Sequence, residues 1–209
     1  MKYYVRTTLD RTLDKSYEQI PYELIVDKEY KPIDSFINAL YKINDFDTIL
    51  LEDDLILCKD FKIKIEDAIG LYPNKIINFF QAPSEYREIE EMSKIVYNQC
   101  TYYPKGIAKS IADYMITLPR KEGVKKNMYS LLENEALEAL NIKIIQYRPH
   151  LVQHLDNDTM LFEKTYNNRR SIYFVDYLDE LGIPYTVANL SKNKRELTKI
   201  MNKHFKNER

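Results

Sequence analysis

Cysteine and glycine are scarce in this chain of 209 residues. Its two cysteines, Cys58 and Cys100, exclude a disulfide scaffold and a zinc site built from several thiolates. With four glycines and eight prolines, the sequence gives poor support to collagen-like, linker-rich or many-bladed β architectures. No apolar run is long enough to cross a bilayer, and the N-terminal residues turn polar too early for a secretory signal. We therefore expect a cytoplasmic protein with reduced thiols.

The short motifs of several large enzyme classes are also missing. The chain has no G-x-G-x-x-G, no P-loop, no pair of C-x-x-C motifs and no G-x-S-x-G, which removes the main support for dinucleotide oxidoreductases, P-loop NTPases and serine hydrolases. Hydrophobic residues make up 44% and charged residues 30% of the chain, an ordinary globular composition. The length favours one hydrophobic core over two independent ones.

Charge is distributed unevenly along the chain. Residues 191–209 contain seven Lys or Arg and two Glu, a net charge of +5, so the rest of this chain of net charge −1 carries −6. We predict that residues 1–190 form one domain and that residues 191–209 form a basic C-terminal helix or tail. Such a segment is more often a solvated helix, and the alternative is contact with an anionic partner such as phosphate or lipid.

Short strand-like runs alternate with helical spacing along the chain. The predicted strands are 3–8, 22–28, 46–52, 75–80, 96–103, 142–147 and 185–190, and the predicted helices are 32–43, 60–71, 104–115, 128–140, 171–181 and the basic C-terminus. The glutamate-rich segment 83–94 is predicted to be a loop or a short helix. This alternation predicts an α/β fold with a mostly parallel central sheet flanked by helices. In such sheets, ligands bind beyond the carboxyl ends of the strands.

Three carboxylates, Glu52, Asp53 and Asp54, follow the most apolar predicted strand. Adjacent carboxylates raise one another's pKa values, and a bound cation relieves that cost. Hard cations such as Mg²⁺ and Mn²⁺ take oxygen ligands and often share them with a diphosphate. If the strand alternation continues, Glu52 and Asp54 lie on the same side. An acidic turn that caps the next helix explains the triplet equally well.

Two of the three histidines, His150 and His154, lie in the segment RPHLVQH. Either could bind a metal ion, although a histidine without a metal is the commoner case. The ordered pair LLEDD and RPHLVQH resembles GT-A glycosyltransferases, in particular small lipopolysaccharide-type and N-acetylglucosaminyltransferase-like inverting members. CTYYPKGIAKSIADYM resembles the stretch that lines the acceptor side in that family. NNRRSIYFVD resembles a basic segment that often follows, and the likeness spans roughly residues 1–176.

The resemblance implies a GT-A, Rossmann-like fold and a metal-dependent transfer of a sugar from a nucleotide-diphosphate donor, by default a UDP-sugar, to a hydroxyl group with inversion. Asp54 and His154 would bind the divalent metal, Mn²⁺ or Mg²⁺. The donor would contact the ends of the first strands and the start of the acidic motif, namely Thr7, Arg11, Asp27, Glu52 and Asp53. The sequence departs from the family pattern in two places. The family often has a glycine after the histidine (Q-H-x-G) where this chain has Leu155 and Asp156, and the acidic motif begins with glutamate.

An inverting transfer needs a base that takes the proton of the acceptor hydroxyl. Glu133 and Glu135 precede the histidine segment on a predicted helix, and their spacing lets only one face the apolar side. We predict that this is Glu135, and a solvated helix surface is the alternative for either residue. Arg169 and Arg170 could balance the charge of the diphosphate; of these, Arg170 is the predicted donor-binding residue, and both could also be ordinary surface residues.

Two other functions fit the same sequence. The carboxylates could serve a metal-dependent nucleotidyl or phosphoryl transferase, and the basic C-terminus could serve a non-catalytic nucleic-acid-binding accessory protein. For a glycosyltransferase, the acceptor could be a glycan, a wall polymer, a protein or a modified DNA base. Neither the sugar nor the acceptor follows from the residues.

Overall fold

A computed structural model describes residues 1–8, 10–80, 91–92, 94–95, 98–119, 129–155, 171–185 and 192–206. The strands are β1 (Lys2–Thr7), β2 (Tyr22–Val26), β3 (Thr48–Glu52), β4 (Leu55–Leu57), β5 (Ile76–Asn78), β6 (Glu91–Met92), β7 (Cys100–Tyr103), β8 (Ile144–Gln146) and β9 (Val152–His154). The α-helices are α1 (Pro32–Ile43), α2 (Phe61–Leu71), α3 (Ala108–Thr117), α4 (Tyr129–Ala139), α5 (Val175–Leu181) and α6 (Lys194–Lys206). A short 3-10 helix covers Lys15–Gln19.

The described strands form a central sheet in the order β2-β1-β3-β7-β5-β8-β6. Strands β2, β1 and β3 pair in parallel, as do β5 and β8. Strand β7 runs antiparallel to both of its neighbours, and β6 runs antiparallel to β8. Five of these strands therefore point in the same direction, and helices pack on both faces. The predicted α/β class with a mostly parallel sheet is confirmed.

Alternate residues of the central strands supply two hydrophobic cores, one on each face of the sheet. On the first face, Val5 and Leu51 pack in one cluster with Phe61 of α2 and Leu178 of α5. On the second face, the clustered residues come from β1, β3, α1, α3 and α4, and include Tyr4, Leu50, Phe36, Leu40, Ile111 and Leu137. The carboxyl ends of β1, β2 and β3 meet at one edge of the sheet, which is where the acidic triplet begins.

A second, two-stranded sheet joins the two motifs that the sequence analysis singled out. Strand β4 follows the acidic triplet directly, and it pairs antiparallel with β9, so that Leu55 lies opposite His154. Neither strand was predicted, because three residues are too few to show a period of two. This pairing brings the end of the acidic triplet to the end of the histidine segment.

The basic C-terminal segment forms the predicted helix over Lys194–Lys206. Its Leu197 is fully buried in the first core, and Ile200 and Met201 pack against that core. On the outer side, Glu180 of α5 forms ion pairs with Lys203 at 3.7 Å and with His204 at 2.8 Å. The helix is therefore docked on the domain through a narrow apolar stripe.

Several boundaries differ from those predicted. Helix α3 begins at Ala108 because Gly106 before it adopts a φ of 88°, a left-handed value that interrupts a helix. Helix α5 begins at Val175, because residues 172–174 run beside the histidine segment and bridge it at His150 and Phe174. Most of segment 83–94 and residues 186–190 of the last predicted strand lie outside the described residues. No helix in the described part of the chain has the length and apolar character that crossing a membrane requires.

Candidate functional site

The acidic triplet lies where the chain leaves the central sheet. Strand β3 ends at Glu52, Asp53 and Asp54 form a bend, and β4 begins at Leu55. Asp53 and Asp54 are 7% and 9% exposed. The bend is fixed by the backbone, because the Leu155 amide donates a hydrogen bond to the Asp54 carbonyl at 2.8 Å. Two buried carboxylates at adjacent positions require positive partners close by.

His154 contacts the acidic bend from the histidine segment. Its Nε2 atom lies 3.2 Å from Oδ2 of Asp54, and its side chain is almost completely buried. The ring packs near Phe80, with 6.4 Å between the ring centroids. The pairing of β4 with β9 produces this contact, since it fixes His154 opposite the residue that follows Asp54. The structure thus brings together the two residues predicted to bind metal.

Arg11 is the other partner of the acidic bend. Its Nη1 atom donates hydrogen bonds to Oδ1 of Asp53 at 3.0 Å and to Oδ2 of Asp54 at 2.9 Å. Burial alone would raise the pKa of Asp54, but the hydrogen bond and charge of His154 and the charge of Arg11 outweigh burial and lower that pKa. Asp54 is therefore held as a carboxylate, and Arg11 is placed among the predicted donor-binding residues that the structure brings to the site.

Glu52 has different neighbours from Asp54. Its Oε1 atom accepts a hydrogen bond from the Tyr129 hydroxyl at 3.1 Å and lies 3.7 Å from Nη1 of Arg6. Burial raises the pKa of Glu52 to about 7, Arg6 opposes that shift, and Asp54 and Asp53 add to it. The expectation that Glu52 and Asp54 share one side is wrong, because the strand ends at Glu52 and the chain bends before Asp54.

Arg6 is a buried residue of the site, and it was not among the predicted site residues. Its guanidinium lies over the rings of Phe36 and Tyr129, at 5.0 Å and 4.6 Å from their centroids. The residue is 7% exposed, and within the described residues its Nε and Nη1 atoms have no hydrogen-bond partner. Its position in β1 was the available signal, since Arg6 follows Tyr4 at the spacing that faces α1 and α4.

Thr7 and Asp27 lie at the carboxyl ends of neighbouring parallel strands, as predicted. The Asp27 amide donates to the Thr7 carbonyl at 2.8 Å, which continues the pairing of β1 with β2. Oδ1 of Asp27 accepts a hydrogen bond from the Lys31 amide at 3.1 Å, just before α1 begins. Thr7 is 6% exposed. Asp27 therefore shapes the entry to α1 as well as lying at the edge where a donor would bind.

The two glutamates of α4 are oriented opposite to the prediction. Glu133 is fully buried, with Oε1 bonded by the Tyr103 hydroxyl at 2.6 Å and Oε2 bonded by Nδ2 of Asn98 at 2.5 Å. Glu135 is exposed. The preference for Glu135 as the inward-facing residue is therefore wrong. Glu133 shares a helical face with Ala136 and Leu137, three and four residues later, and that spacing was the signal for its burial.

Burial raises the pKa of Glu133 to about 7, against the lowering effect of its hydrogen bonds with Tyr103 and Asn98. The polar network continues from Asn98 into the sheet, because Thr101 donates to Oδ1 of Asn98 at 2.7 Å and Nδ2 of Asn78 donates to Thr101 at 3.1 Å. Gln146 of β8 then donates to Oδ1 of Asn78 at 3.1 Å. These hydrogen bonds tie α4 to three neighbouring strands.

His150, the other histidine of the segment, is buried and contacts neighbouring side chains of the protein. It is 1% exposed, and its two ring nitrogens contact Nη1 of Arg148 at 3.2 Å and the hydroxyl of Ser171. Burial and the Arg148 charge lower the pKa of His150 well below its usual value, so the ring is neutral. Ser171 is also paired with the side-chain amide of Gln153 through two hydrogen bonds, at 2.7 Å and 2.8 Å.

The remaining predictions concern metal ligands and the arginine pair. Arg169 and Arg170 lie outside the described residues. Within the described ranges, no group of three or more His, Cys, Asp or Glu side chains is close enough to hold an ion. Asp54 and His154 form a contact pair, and Oδ1 of Asp54 is buried with no hydrogen-bond partner in that part of the chain. The site therefore contains two side chains of the types that bind metals and one buried carboxylate oxygen without a hydrogen bond.

Comparison with known proteins gives no family for the chain. No protein-family model matches it, and no curated protein matches it either. Among solved structures, the chain is similar to A197 from STIV, at 9% sequence identity and a TM-score of 0.38, covering 80% of this chain and 100% of that one. A TM-score this low does not establish a shared fold, so the function has to be argued from the site itself.

Proposed function

We propose that this chain is a metal-dependent glycosyltransferase of the GT-A type, which moves a sugar from a nucleotide-diphosphate donor to a hydroxyl group. The observation that carries the proposal is the 3.2 Å contact between Oδ2 of Asp54 and Nε2 of His154. These residues are about a hundred positions apart in the sequence, and the contact lies beyond the carboxyl end of β3. Open α/β sheets bind their ligands at that end.

The ligand chemistry of this pair fits Mn²⁺ or Mg²⁺. Carboxylate oxygen and imidazole nitrogen are both ligands of Mn²⁺, and Mg²⁺ takes one or two carboxylates together with water and substrate phosphate oxygens. Oδ1 of Asp54, which is buried and has no hydrogen-bond partner within the described residues, would provide a further ligand oxygen. When bound, the ion would supply the positive charge that stabilises a departing nucleoside diphosphate. Asp54 and His154 would hold it, with the diphosphate and water completing its coordination.

The other residues of the edge fit contacts with the donor. Glu52 has a partly exposed carboxyl group suited to hydrogen bonds with ribose or sugar hydroxyls. Thr7 is the last residue of β1 and Asp27 follows β2, at the end of the sheet where the nucleotide would lie. Asp53 is held beside the proposed metal ligands by Arg11. Arg11 itself offers the planar donor group that binds phosphate well. In this arrangement, a UDP-sugar is the default donor.

The proton acceptor of the transfer does not follow from α4. Glu135 faces solvent, and both oxygens of Glu133 accept hydrogen bonds inside the protein. The geometry thus supports neither glutamate as the base. The proposal therefore rests on the donor and metal side of the site, and inversion is expected from the sequence resemblance alone.

The proposal is tested by measuring UDP binding with and without Mn²⁺ by calorimetry. Asp54→Asn and His154→Ala should each weaken Mn²⁺-dependent UDP binding by about 30-fold or more, which corresponds to ~2 kcal/mol. The two losses should not add in the double variant, because both side chains would serve one ion. Asp45→Asn removes an exposed carboxylate near the opposite end of β3, and it should bind like the wild type.

Three results would contradict the proposal. The first is a wild type with no metal-dependent affinity for UDP or for other nucleoside diphosphates. The second is full additivity of the effects of Asp54→Asn and His154→Ala. The third is binding to DNA with a steep salt dependence and no binding of nucleotides, which is the behaviour of a nucleic-acid-binding module.

A further inference from the structure

We infer that the Arg11 guanidinium and a divalent cation compete for the Asp54 carboxylate, and that Arg11 yields this position when a nucleotide diphosphate offers it new acceptors. Metal and nucleotide would then bind together and not in an arbitrary order. The inference rests on the proposed function, because it assigns a regulatory contact to the same site. It concerns Arg11, which is not one of the proposed metal ligands.

The first support is the position of the guanidinium. A single nitrogen, Nη1 of Arg11, donates to Oδ1 of Asp53 and to Oδ2 of Asp54, at 3.0 Å and 2.9 Å. Oδ2 of Asp54 is also the oxygen that contacts His154. The nitrogen therefore bonds the same oxygen that would serve the metal. A divalent cation placed there would meet a fixed positive charge at close range, so the two compete for one position.

The second support is that the backbone around Asp54 is held by hydrogen bonds, whereas Arg11 lies in a connecting segment. Asp54 is held by its carbonyl, which accepts from the Leu155 amide at 2.8 Å. Upstream of it, the Glu52 carbonyl accepts from the Tyr17 hydroxyl and the Glu52 amide donates to Gln99 at 3.0 Å. Arg11, by contrast, lies between the end of β1 and the 3-10 helix that starts at Lys15. The pairing of β1 with its neighbours ends at Thr7, so it does not include Arg11.

The third support is the chemistry of the incoming group. Arginine binds phosphate oxygens through parallel hydrogen bonds at least as well as it binds carboxylates. A diphosphate that reaches this edge would give the Arg11 guanidinium new acceptors and would release Asp53 and Asp54 to the metal. The coupling is reciprocal, since metal and nucleotide must increase each other's affinity by the same factor.

The test measures Mn²⁺ binding to the full chain by calorimetry, and by the electron paramagnetic resonance signal of free Mn²⁺, with and without UDP. In the wild type, UDP should tighten Mn²⁺ binding by roughly 5- to 150-fold, the usual range of coupling between two sites. In Arg11→Gln, Mn²⁺ alone should bind more tightly than to the wild type by a similar factor. The effect of UDP on Mn²⁺ affinity should become smaller than in the wild type, because only the direct ligation of the ion by the diphosphate remains.

Two further variants make the result specific. Arg11→Met cannot donate hydrogen bonds to the carboxylates and should behave like Arg11→Gln. Lys15→Gln removes an exposed positive charge close by in sequence and should keep the wild-type pattern, which separates the direct contact from general electrostatics. Thermal unfolding of each variant checks that the fold is intact. Arg11 lies outside the helices and strands, and Lys15 is an exposed residue at the start of the 3-10 helix.

The outcomes separate this inference from the proposed function. If the wild type binds Mn²⁺ with UDP but neither Arg11 variant gains affinity for Mn²⁺ alone, the role of Arg11 is wrong and the function stands. Equal Mn²⁺ affinity of the wild type with and without UDP means, by the same reciprocity, that UDP binding does not depend on the metal, and this result contradicts both the proposed function and the inference. If no protein binds Mn²⁺ with or without UDP, the proposed function fails, and the inference fails with it.

Discussion

Glu133 is a carboxyl group in the interior whose two oxygens are bonded by neutral donors, the Tyr103 hydroxyl and the Asn98 amide. Its pKa is about 7 in the folded protein, against an ordinary value of 4.5, chiefly because of burial. Between these two values, the folded state keeps the proton that the unfolded chain releases. The folded state therefore binds more protons, and stability falls as pH rises through this window.

We expect Glu133→Gln to reverse this loss. Glutamine has the shape of the protonated residue and does not ionise, so the free energy of unfolding of the variant should gain about 1–3 kcal/mol relative to the wild type between pH 4.5 and pH 8. Urea unfolding at pH 5 and pH 8 measures the change. Glu135→Gln, on the exposed face of the same helix, should show no such difference. An equal response of the two variants to pH would contradict the buried assignment.

That Asp54 and His154 lie together could be predicted from the sequence, and the orientation of individual side chains could not. Asp54 and His154 are recognisable because a short motif holds each one at the end of an apolar run. The burial of Glu133 conflicts with the usual exposure of glutamate, and only its spacing to Ala136 and Leu137 indicates it. The aromatic neighbours of Arg6 come from α1 and α4, so no local pattern in β1 contains them.

At the scale of elements, the basic C-terminal helix α6 packs on the domain through a few apolar residues, and its charged residues are on the exposed side. Leu197 of α6 is fully buried in the first core. We expect Leu197→Ala to lower the free energy of unfolding by about 2–5 kcal/mol, the usual cost of emptying such a site. Thermal or urea unfolding measures it, and Lys199→Ala on the exposed side should change stability by less than about 0.5 kcal/mol.

The same packing bears on the function of the basic segment. If α6 contributes to the core, deletion of residues 191–209 should destabilise the domain, and a loss of activity in that variant would not show binding to an anionic partner. An unchanged unfolding midpoint for Leu197→Ala would contradict this packing. Charge-reversing substitutions on the exposed face, such as Lys199→Glu, are therefore the better way to test an anionic partner.

Helix positions were predictable where a long amphipathic pattern exists, as in α1, whose bounds match the predicted ones. Strand order was not predictable. Strand β7 lies between β3 and β5 and runs against both, although its sequence, CTYY, has the same β-rich character as a parallel strand. Direction is decided by connections and by packing on both faces, and a four-residue pattern contains neither.

At the scale of the whole molecule, the two thiols report on the integrity of the first core. Cys58 and Cys100 are fully buried and belong to the same cluster. Burial raises the pKa of both thiols, so the reactive thiolate is scarce in the folded protein. Their exposure requires a large part of the domain to open.

We expect Ellman's reagent to modify both thiols rapidly in denaturant and at least about 100-fold more slowly in the native protein, at a rate set by opening of the core. A Lys192→Cys variant, which adds a thiol at an exposed position, should gain one fast-reacting group and serve as the internal control. Rapid native modification of Cys58 or Cys100 would contradict a continuous first core.

The place of β7 in the sheet has a consequence for synthesis of the chain. Strand β3 pairs with β1 on one side, but its partner on the other side is β7, which follows about fifty residues later in the sequence. At ordinary translation rates, the nascent chain would carry an open apolar edge for roughly 3–10 s. Asp45 and Asp47 precede this strand, and the acidic triplet follows it. Charges that flank an exposed strand discourage pairing with other chains. We therefore expect the acidic triplet to hinder pairing of β3 with other chains until β7 has been synthesised.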